Sequence, residues 1–382
     1  LDSILEKLES STDFIKYGVV CLSWHHVTKD NQSKRSKMLH HHEVPMLLVP
    51  NEQEYSWSIY NVLEDKFLDL NSSISYNKRF CGSSQGWLGV VNNDYTVTLN
   101  RPYFTSKGDI SDGNTSIQLP QLFPPETFLM NPEDLQVIED DPDDIYVFGY
   151  DYHVKKIFIT ADPLSSLKDC TLFVIYGQYY ELACMRYEKD KTWKKIADGL
   201  LGFEDMVYYK NQLYAIDSSS KFRSIDLCNG TINWVAPELH FPPAPSRYLV
   251  ESCGELLLVE RYIEFRGPNA LEQETTAFTV LKFDLDRANW IEIESLGTVA
   301  LFVGDNSAIS VVASNFNRCP ANCIYFTHDE VAIPSRTDKF FDLGVYSLES
   351  KCFTLHYNLD RTTFHRMFQR PPIWIVPLPN GH

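Results

Sequence analysis

Clustered histidines, a cysteine pair, two serines between glycines and one dense acidic run are the features here whose residue types invite chemistry. His25 and His26, with His40, His41 and His42, carry imidazoles of the kind that ligate transition metals. They sit in a polar segment, where solvated histidines are the commoner outcome, so no metal is expected. Glu139-Asp-Asp-Pro-Asp-Asp144 offers oxygens to calcium but lacks the spaced ligands and glycine of an EF-type loop. A solvated acidic loop, or a recognition loop for a basic partner, fits it better. Cys319 and Cys323 stand four apart with no second pair or nearby histidine pair, which argues against zinc. Ser83 and Ser84, near Gly82 and Gly86, depart from GxSxG and read as a tight turn. Asp94, Asp151, Asp217 and Asp305 fall at predicted strand ends, where carboxylates accept turn N–H groups, and none has an identifiable acid–base mate. With no Walker loop, HExxH or glycine fingerprint, the reading is no catalytic residue, no metal and no cofactor.

The elements around these residues come from the pattern. A formal charge of −17 over 382 residues, with 44% hydrophobic and 22% charged, is globular and disfavours a nucleic-acid partner, which needs clustered Lys and Arg. Apolar stretches such as Thr298 to Val303 are far shorter than the roughly 18 residues that cross a bilayer, so no membrane partner is expected. Nine scattered cysteines suit a reducing compartment, the cytoplasm or nucleus. Leu1, Ile4, Leu5 and Leu8 recur at helical spacing; Thr12 can cap a second helix over Asp13 to Tyr17, and Val20, Trp24 and Val27 mark a third. Three helices over residues 1–31 have little core of their own. A polar linker, 32–44, follows.

From residue 45 to 382 the chain changes to short Val-, Ile-, Tyr- and Phe-rich runs separated by Gly, Asn, Asp and Pro, which predicts a mainly β body. Runs such as Gly86 to Val91, Thr171 to Tyr176, Gln212 to Ile216, Leu256 to Glu260 and Phe278 to Phe283 read as strands. A unit recurs: a strand, a polar turn, then a strand opened by a large aromatic. It ends at Trp193, Trp234, Trp290 and Phe353, at separations of 41, 56 and 63 residues. That spacing predicts a β-propeller of about six or seven blades with loop insertions. A two-sheet sandwich is the alternative. The three tryptophans could stack sugars, but recurrence at equivalent positions favours packing between blades. Closing a ring also predicts that Ile373 to Val376 pairs with an early strand, because an unclosed propeller leaves open sheet edges.

Two resemblances add to this reading. Leu1-Asp-Ser-Ile-Leu-Glu-Lys-Leu-Glu-Ser-Ser-Thr-Asp-Phe, with Val19-Val-Cys-Leu-Ser-Trp24, resembles the F-box, which docks onto the Skp adaptor of cullin-based ubiquitin ligases. The family's opening Leu-Pro pair and acidic residue would precede Leu1, so part of the Skp contact is expected to lie outside this sequence. The rest resembles the plant F-box-associated propeller of the KIB type. The carrying segments are Cys81-Gly-Ser-Ser-Gln-Gly-Trp-Leu88, Ala300 to Ser314 with Asn322 to Thr327, and Pro371-Pro-Ile-Trp374. The resemblance implies a non-catalytic substrate receptor. Leu1, Ile4, Leu5, Leu8, Val20, Cys21 and Trp24 would bind Skp, and through it cullin. The propeller would hold a client protein, and Asp140, Asp141, Asp143 and Asp144 would attract one with a basic surface. A propeller scaffold that does not engage Skp and a propeller enzyme such as a glycosidase are the alternatives.

Overall fold

The computed structural model describes residues 44–51, 56–69, 78–101, 115–124, 150–164, 169–196, 201–227, 231–237, 244, 246–266, 272–329, 342–354 and 371–376. The expected helices of residues 1–31, and the linker up to residue 43, lie outside them. The described residues form six sheets. Blade 1 holds β1 (Met46–Asn51), β2 (Ser56–Asn61), β3 (Lys66–Asp69) and β25 (Ile373–Ile375). Blade 2 holds β4 (Phe80–Ser84), β5 (Trp87–Val91), β6 (Thr96–Arg101) and β7 (Thr115–Gln121). Blade 3 is β8 (Val154–Ile159), β9 (Thr171–Tyr176), β10 (Glu181–Arg186) and β11 (Lys194–Lys195); blade 4 is β12 (Phe203–Tyr209), β13 (Gln212–Asp217), β14 (Phe222–Ile225) and β15 (Ile232–Trp234). Blade 5 is β16 (Ser246–Ser252), β17 (Glu255–Arg266), β18 (Glu272–Asp284) and β19 (Asn289–Ile293). Blade 6 has five strands, β20 (Val299–Gly304), β21 (Ser307–Val312), β22 (Cys323–Phe326), β23 (Gly344–Ser347) and β24 (Cys352–Thr354).

The innermost strands β25, β4, β8, β12, β16 and β21 touch one another in that order and return to β25, so the ring is closed. The protein is a six-bladed β-propeller. Six apolar clusters fill the six seams. One, for example, packs Trp57, Phe80 and Leu88 between blades 1 and 2, and another packs Phe173, Leu182 and Leu213 between blades 3 and 4. Middle strands are buried on both faces, which is why β20 reads Val-Ala-Leu-Phe-Val-Gly without alternation. Outer strands such as β24 are exposed throughout. As expected from the need to close the ring, β25 pairs antiparallel with β1, with Trp374 opposite Leu47. Blade 6 departs from the meander. There the β20–β21 hairpin turns inward, so β21 takes the channel position and β22 runs parallel to β20.

The segment Cys81 to Leu88 builds the seam between blades 2 and 3. Gly82 and Gly89 face each other across β4 and β5, and a Cβ at Gly82 would lie 2.5 Å from the Ile157 carbonyl oxygen. Only glycine admits that approach. Ser84 Oγ accepts the Ile159 N–H at 3.2 Å, and the Trp87 indole donates to Asp162 at 3.0 Å. Gln85 and Gly86 both have positive φ, as a two-residue hairpin turn requires.

The aromatic repeat holds for two tryptophans and fails for one. Trp193 immediately precedes β11 and is buried in the blade 2–3 cluster; Trp290 lies on β19, buried in the blade 4–5 cluster. Trp234, on the equivalent outer strand β15, is 62% exposed, which corrects the expectation that it packs between blades. The reason is register. Trp290 stands opposite Phe283, whose ring is buried, whereas Trp234 stands opposite Arg223. Arg223 is one residue past the buried Phe222, and a one-residue step puts a side chain on the other face of its strand.

Candidate functional site

Among the described residues, the buried charged groups Arg79, Lys156, Asp205, Arg247, Glu260 and Arg261 gather near one end, where inner strands begin. Arg79 precedes β4, Lys155 and Lys156 open β8, Glu204 and Asp205 open β12, Arg247 and Tyr248 open β16, and Asp305 and Asn306 precede β21. Successive residues point to opposite faces of a strand, so each adjacent pair serves two directions at once. Strands within a blade also alternate in direction, which brings the β9–β10 turn, Gly177 to Tyr180, back to the same end.

The pairs run from blade to blade. Arg79 Nη2 lies 2.7 Å from Asp305 Oδ2, and its Nη1 donates to the Val154 carbonyl at 3.1 Å, so one guanidinium joins blades 2, 3 and 6. Beside it, the Asn306 amide donates to the Phe80 carbonyl at 2.7 Å. Lys156 donates to Asp205, whose carboxylate also accepts the Met206 and Leu249 N–H groups at 2.8 and 2.7 Å. Arg247 meets Glu204 at 3.0 Å and Glu260 at 3.7 Å. These are seam staples; a buried charge tolerates its site only when a partner and hydrogen bonds replace the lost water.

The densest cluster surrounds Arg261 on β17, which is 0% exposed. Its Nε donates to Thr275 Oγ1 at 2.8 Å, its Nη1 to the Thr327 carbonyl at 2.8 Å and Tyr248 Oη at 3.1 Å, and its Nη2 to Asp342 Oδ2 at 2.9 Å. Tyr248 donates to Asp329, and Asp342 further accepts the Thr275 hydroxyl at 2.6 Å. Burial alone would lower the Arg261 pKa, but the field of Tyr248, Asp329 and Asp342 holds it above its ordinary value. Burial raises the Asp329 carboxyl against the opposing pull of Arg261. His328 is pushed down to about 4 by burial and by Arg261. Burial, with the Asp329 charge added, carries the Tyr248 phenol well above its usual range.

The chemistry these groups display is bracing of the seams. A general acid–base pair needs a carboxylate able to trade its proton with a substrate. Asp205, Asp305, Glu204 and Asp342 are each engaged by a lysine or arginine. What reaches solvent at this end is loop and turn, including Tyr179 and Tyr180, which are 41% and 42% exposed.

A sequence profile described as the KIB1-4 beta-propeller matches residues 59–347, most of this ring. The chain belongs to the KIB1-4 beta-propeller family. It is 26% identical to the F-box protein At2g17036 of Arabidopsis thaliana over 98% of this chain and 93% of that protein. To the F-box protein SKIP23 of the same plant it is 25% identical, with the same coverage. The putative F-box protein At3g25750 is 29% identical, but that match takes in 49% of this chain and 51% of the relative, about half of its length. The expected likeness to plant F-box proteins carrying a KIB-type propeller is thus present over the whole chain.

In this KIB-family propeller the expected Skp-binding residues, Leu1, Ile4, Leu5, Leu8, Val20, Cys21 and Trp24, lie outside the described residues. So do Asp140, Asp141, Asp143 and Asp144. The described residues that flank the acidic segment stand at the charged end: His153 hydrogen-bonds the Phe123 carbonyl at 2.7 Å, and Tyr150 receives Lys78 at 3.1 Å. Asp94 and Asp217 do what strand-end carboxylates were expected to do, accepting turn N–H groups at 3.0 Å. Asp305 instead joins the Arg79 staple. Sequence reasoning missed the staples, yet their signal is visible: Leu-Val-Glu260-Arg261-Tyr-Ile and Lys156-Ile157 set charge inside apolar strand runs, where burial favours a partnered charge.

Proposed function

We propose that this chain is the substrate receptor of an SCF-type ubiquitin ligase, its first 31 residues docking on a Skp adaptor and its propeller presenting a client. The observation that supports the reading is a KIB-family propeller in a chain that aligns over 98% of its length with proteins named F-box proteins. Such a receptor needs no catalytic residues of its own. Holding the client lysine beside a charged ubiquitin carrier raises its effective concentration, and proximity supplies the rate. On this reading the client meets loops that several blades contribute, and Asp140, Asp141, Asp143 and Asp144 attract its basic face. The seven described cysteines are free thiols, which supports the cytoplasm or nucleus as the working compartment.

The test is co-purification from the full-length protein. Replacing Leu5 and Trp24 with Ala is expected to abolish Skp capture, since large apolar anchors carry about 2 kcal/mol or more each. Undiminished capture by the double variant overturns the docking assignment and favours a scaffold that does not engage Skp.

A further inference from the structure

We propose that Lys155, with Tyr180, forms an anion-binding site at the mouth of the channel, taking a carboxylate or a phosphate carried on a peptide. The placement comes first. Lys155 lies on β8, half-buried, with its ammonium 4.7 Å above the centre of the Tyr180 ring. Among the described residues no carboxylate stands within 4 Å of it, and its three N–H donors have no acceptor. The carboxylates whose field reaches it are Glu204, Asp205, Asp305 and Asp329. Each is already engaged: Glu204 by Arg247, Asp205 by Lys156 and two backbone amides, Asp305 by Arg79, and Asp329 by Tyr248. Among the described residues, Lys155 is a cation these pairs leave over.

Its surroundings are built rather than loose. The turn bearing Tyr179 and Tyr180 is tied to the start of blade 3 through Gly177 N–H to the His153 carbonyl at 2.8 Å. It is tied to blade 4 through Phe203 N–H to the Tyr180 carbonyl at 3.0 Å. Tyr180 itself is held at a φ of 50°, a left-handed conformation that a bulky residue adopts only where the structure imposes it. The sector beside it is rich in cation–ring contacts: Lys78 lies against Tyr150, and Arg79 against Tyr152. Burial lowers the pKa of Lys155, and an anion beside it would favour the charged form and oppose that shift. An ammonium over a tyrosine face, with its donors open, suits a compact oxyanion that reaches past the Tyr180 ring. The inference concerns the propeller alone and does not depend on the ligase reading.

The test follows the lysine ε-methylene signals of the full chain, labelled with carbon-13 lysine, by NMR. Inorganic phosphate and acetate are added separately at constant ionic strength, and the Lys155 signal is assigned by its loss in Lys155→Arg. The expected result is a saturable shift of that signal, with its titration midpoint raised by about one pH unit, a tenfold preference of the anion for the charged form. A response to phosphate alone assigns the site to phosphoryl groups, and one to acetate alone assigns it to carboxylates. If neither anion moves the Lys155 signal more than it moves those of exposed lysines, the proposal is overturned. The measurement on the unaltered chain decides this even if a variant fails to fold.

Discussion

The seam between blades 6 and 1 and the seam between blades 5 and 6 do the same job with opposite chemistry. The closing seam is dry: Trp374 lies edge-on to Phe302 at 5.0 Å among Leu47, Val49 and Tyr60, and its indole donates to the Val303 carbonyl at 3.1 Å. The neighbouring seam shares an apolar core of Val259, Leu301 and Tyr346, but its channel end is the Arg261 network. Dry contact gains free energy from area and shape alone, so β25 closes the ring with three residues, all buried. The ionic contact gains from geometry, and every member depends on the others being present and correctly charged. Closure is thus insensitive to solution conditions, whereas the channel mouth, where partners are proposed to bind, is sensitive to them.

Removing one residue from each seam gives the largest effects. Trp374→Ala deletes the centre of the closing contact and frees the edge of β1. It is expected to cost about 3–5 kcal/mol in urea unfolding. Arg261→Met leaves Asp342 without its cation and Thr275 without the guanidinium donor, and is expected to cost about 3 kcal/mol. The seams should then part ways. Adding Asp342→Leu to Arg261→Met should recover part of the loss, because the orphaned charge goes with it, and no second change around Trp374 should do so. An additive or worsened double variant would show that the two charges are not one unit.

A smaller effect separates the seams by pH. The folded His328 protonates near 4, against an ordinary value of 6.5, so the unfolded chain takes up the proton first. Its contribution is therefore complete above pH 6.5 and lost as pH falls toward 4, about 3 kcal/mol at most. Asp329 works the other way: with its folded pKa raised, it favours the folded chain at low pH and gives up that contribution as pH rises above 3.8. The expected net is a loss of stability on acidification that His328→Phe flattens, measured by urea midpoints between pH 4 and 7. Trp374→Ala should lower the curve without changing its slope.

What could be read in advance follows the same division. Dry packing writes itself into composition, so apolar runs such as Thr171 to Tyr176 matched β9 to the residue, and Pro-Pro-Ile-Trp374 was legible as the closing strand. Glycine pairs that admit Ile157 left a readable segment at Cys81 to Leu88. The ionic mouth was not legible, because Arg79 and Asp305 are 226 residues apart and nothing local to either names the other. The inward turn of β20 and β21 was hidden for a similar reason: pattern identifies strands but not their order in a sheet. The limits of β17 and β18, extended to 12 and 13 residues, were underestimated because Arg261 and Thr275 interrupt the apolar pattern while continuing the pairing.

The smallest expected effect is the one that most directly tests register. Trp234 and Trp290 occupy matching outer strands and looked equivalent in sequence, yet one faces solvent opposite Arg223 and the other is buried between Phe222 and Phe283. Trp290→Ala should cost about 3 kcal/mol or more by leaving a cavity in the blade 4–5 cluster. Trp234→Ala should fall within about 0.5 kcal/mol of the unaltered chain, as exposed substitutions away from caps and turns do. Paired urea melts decide it. Equal costs would mean that the ring of Trp234 is covered and that blade 4 pairs one residue out of the register described. A surface change that leaves stability intact but weakens client capture would instead make Trp234 an exposed aromatic anchor, the type of side chain on which binding energy concentrates.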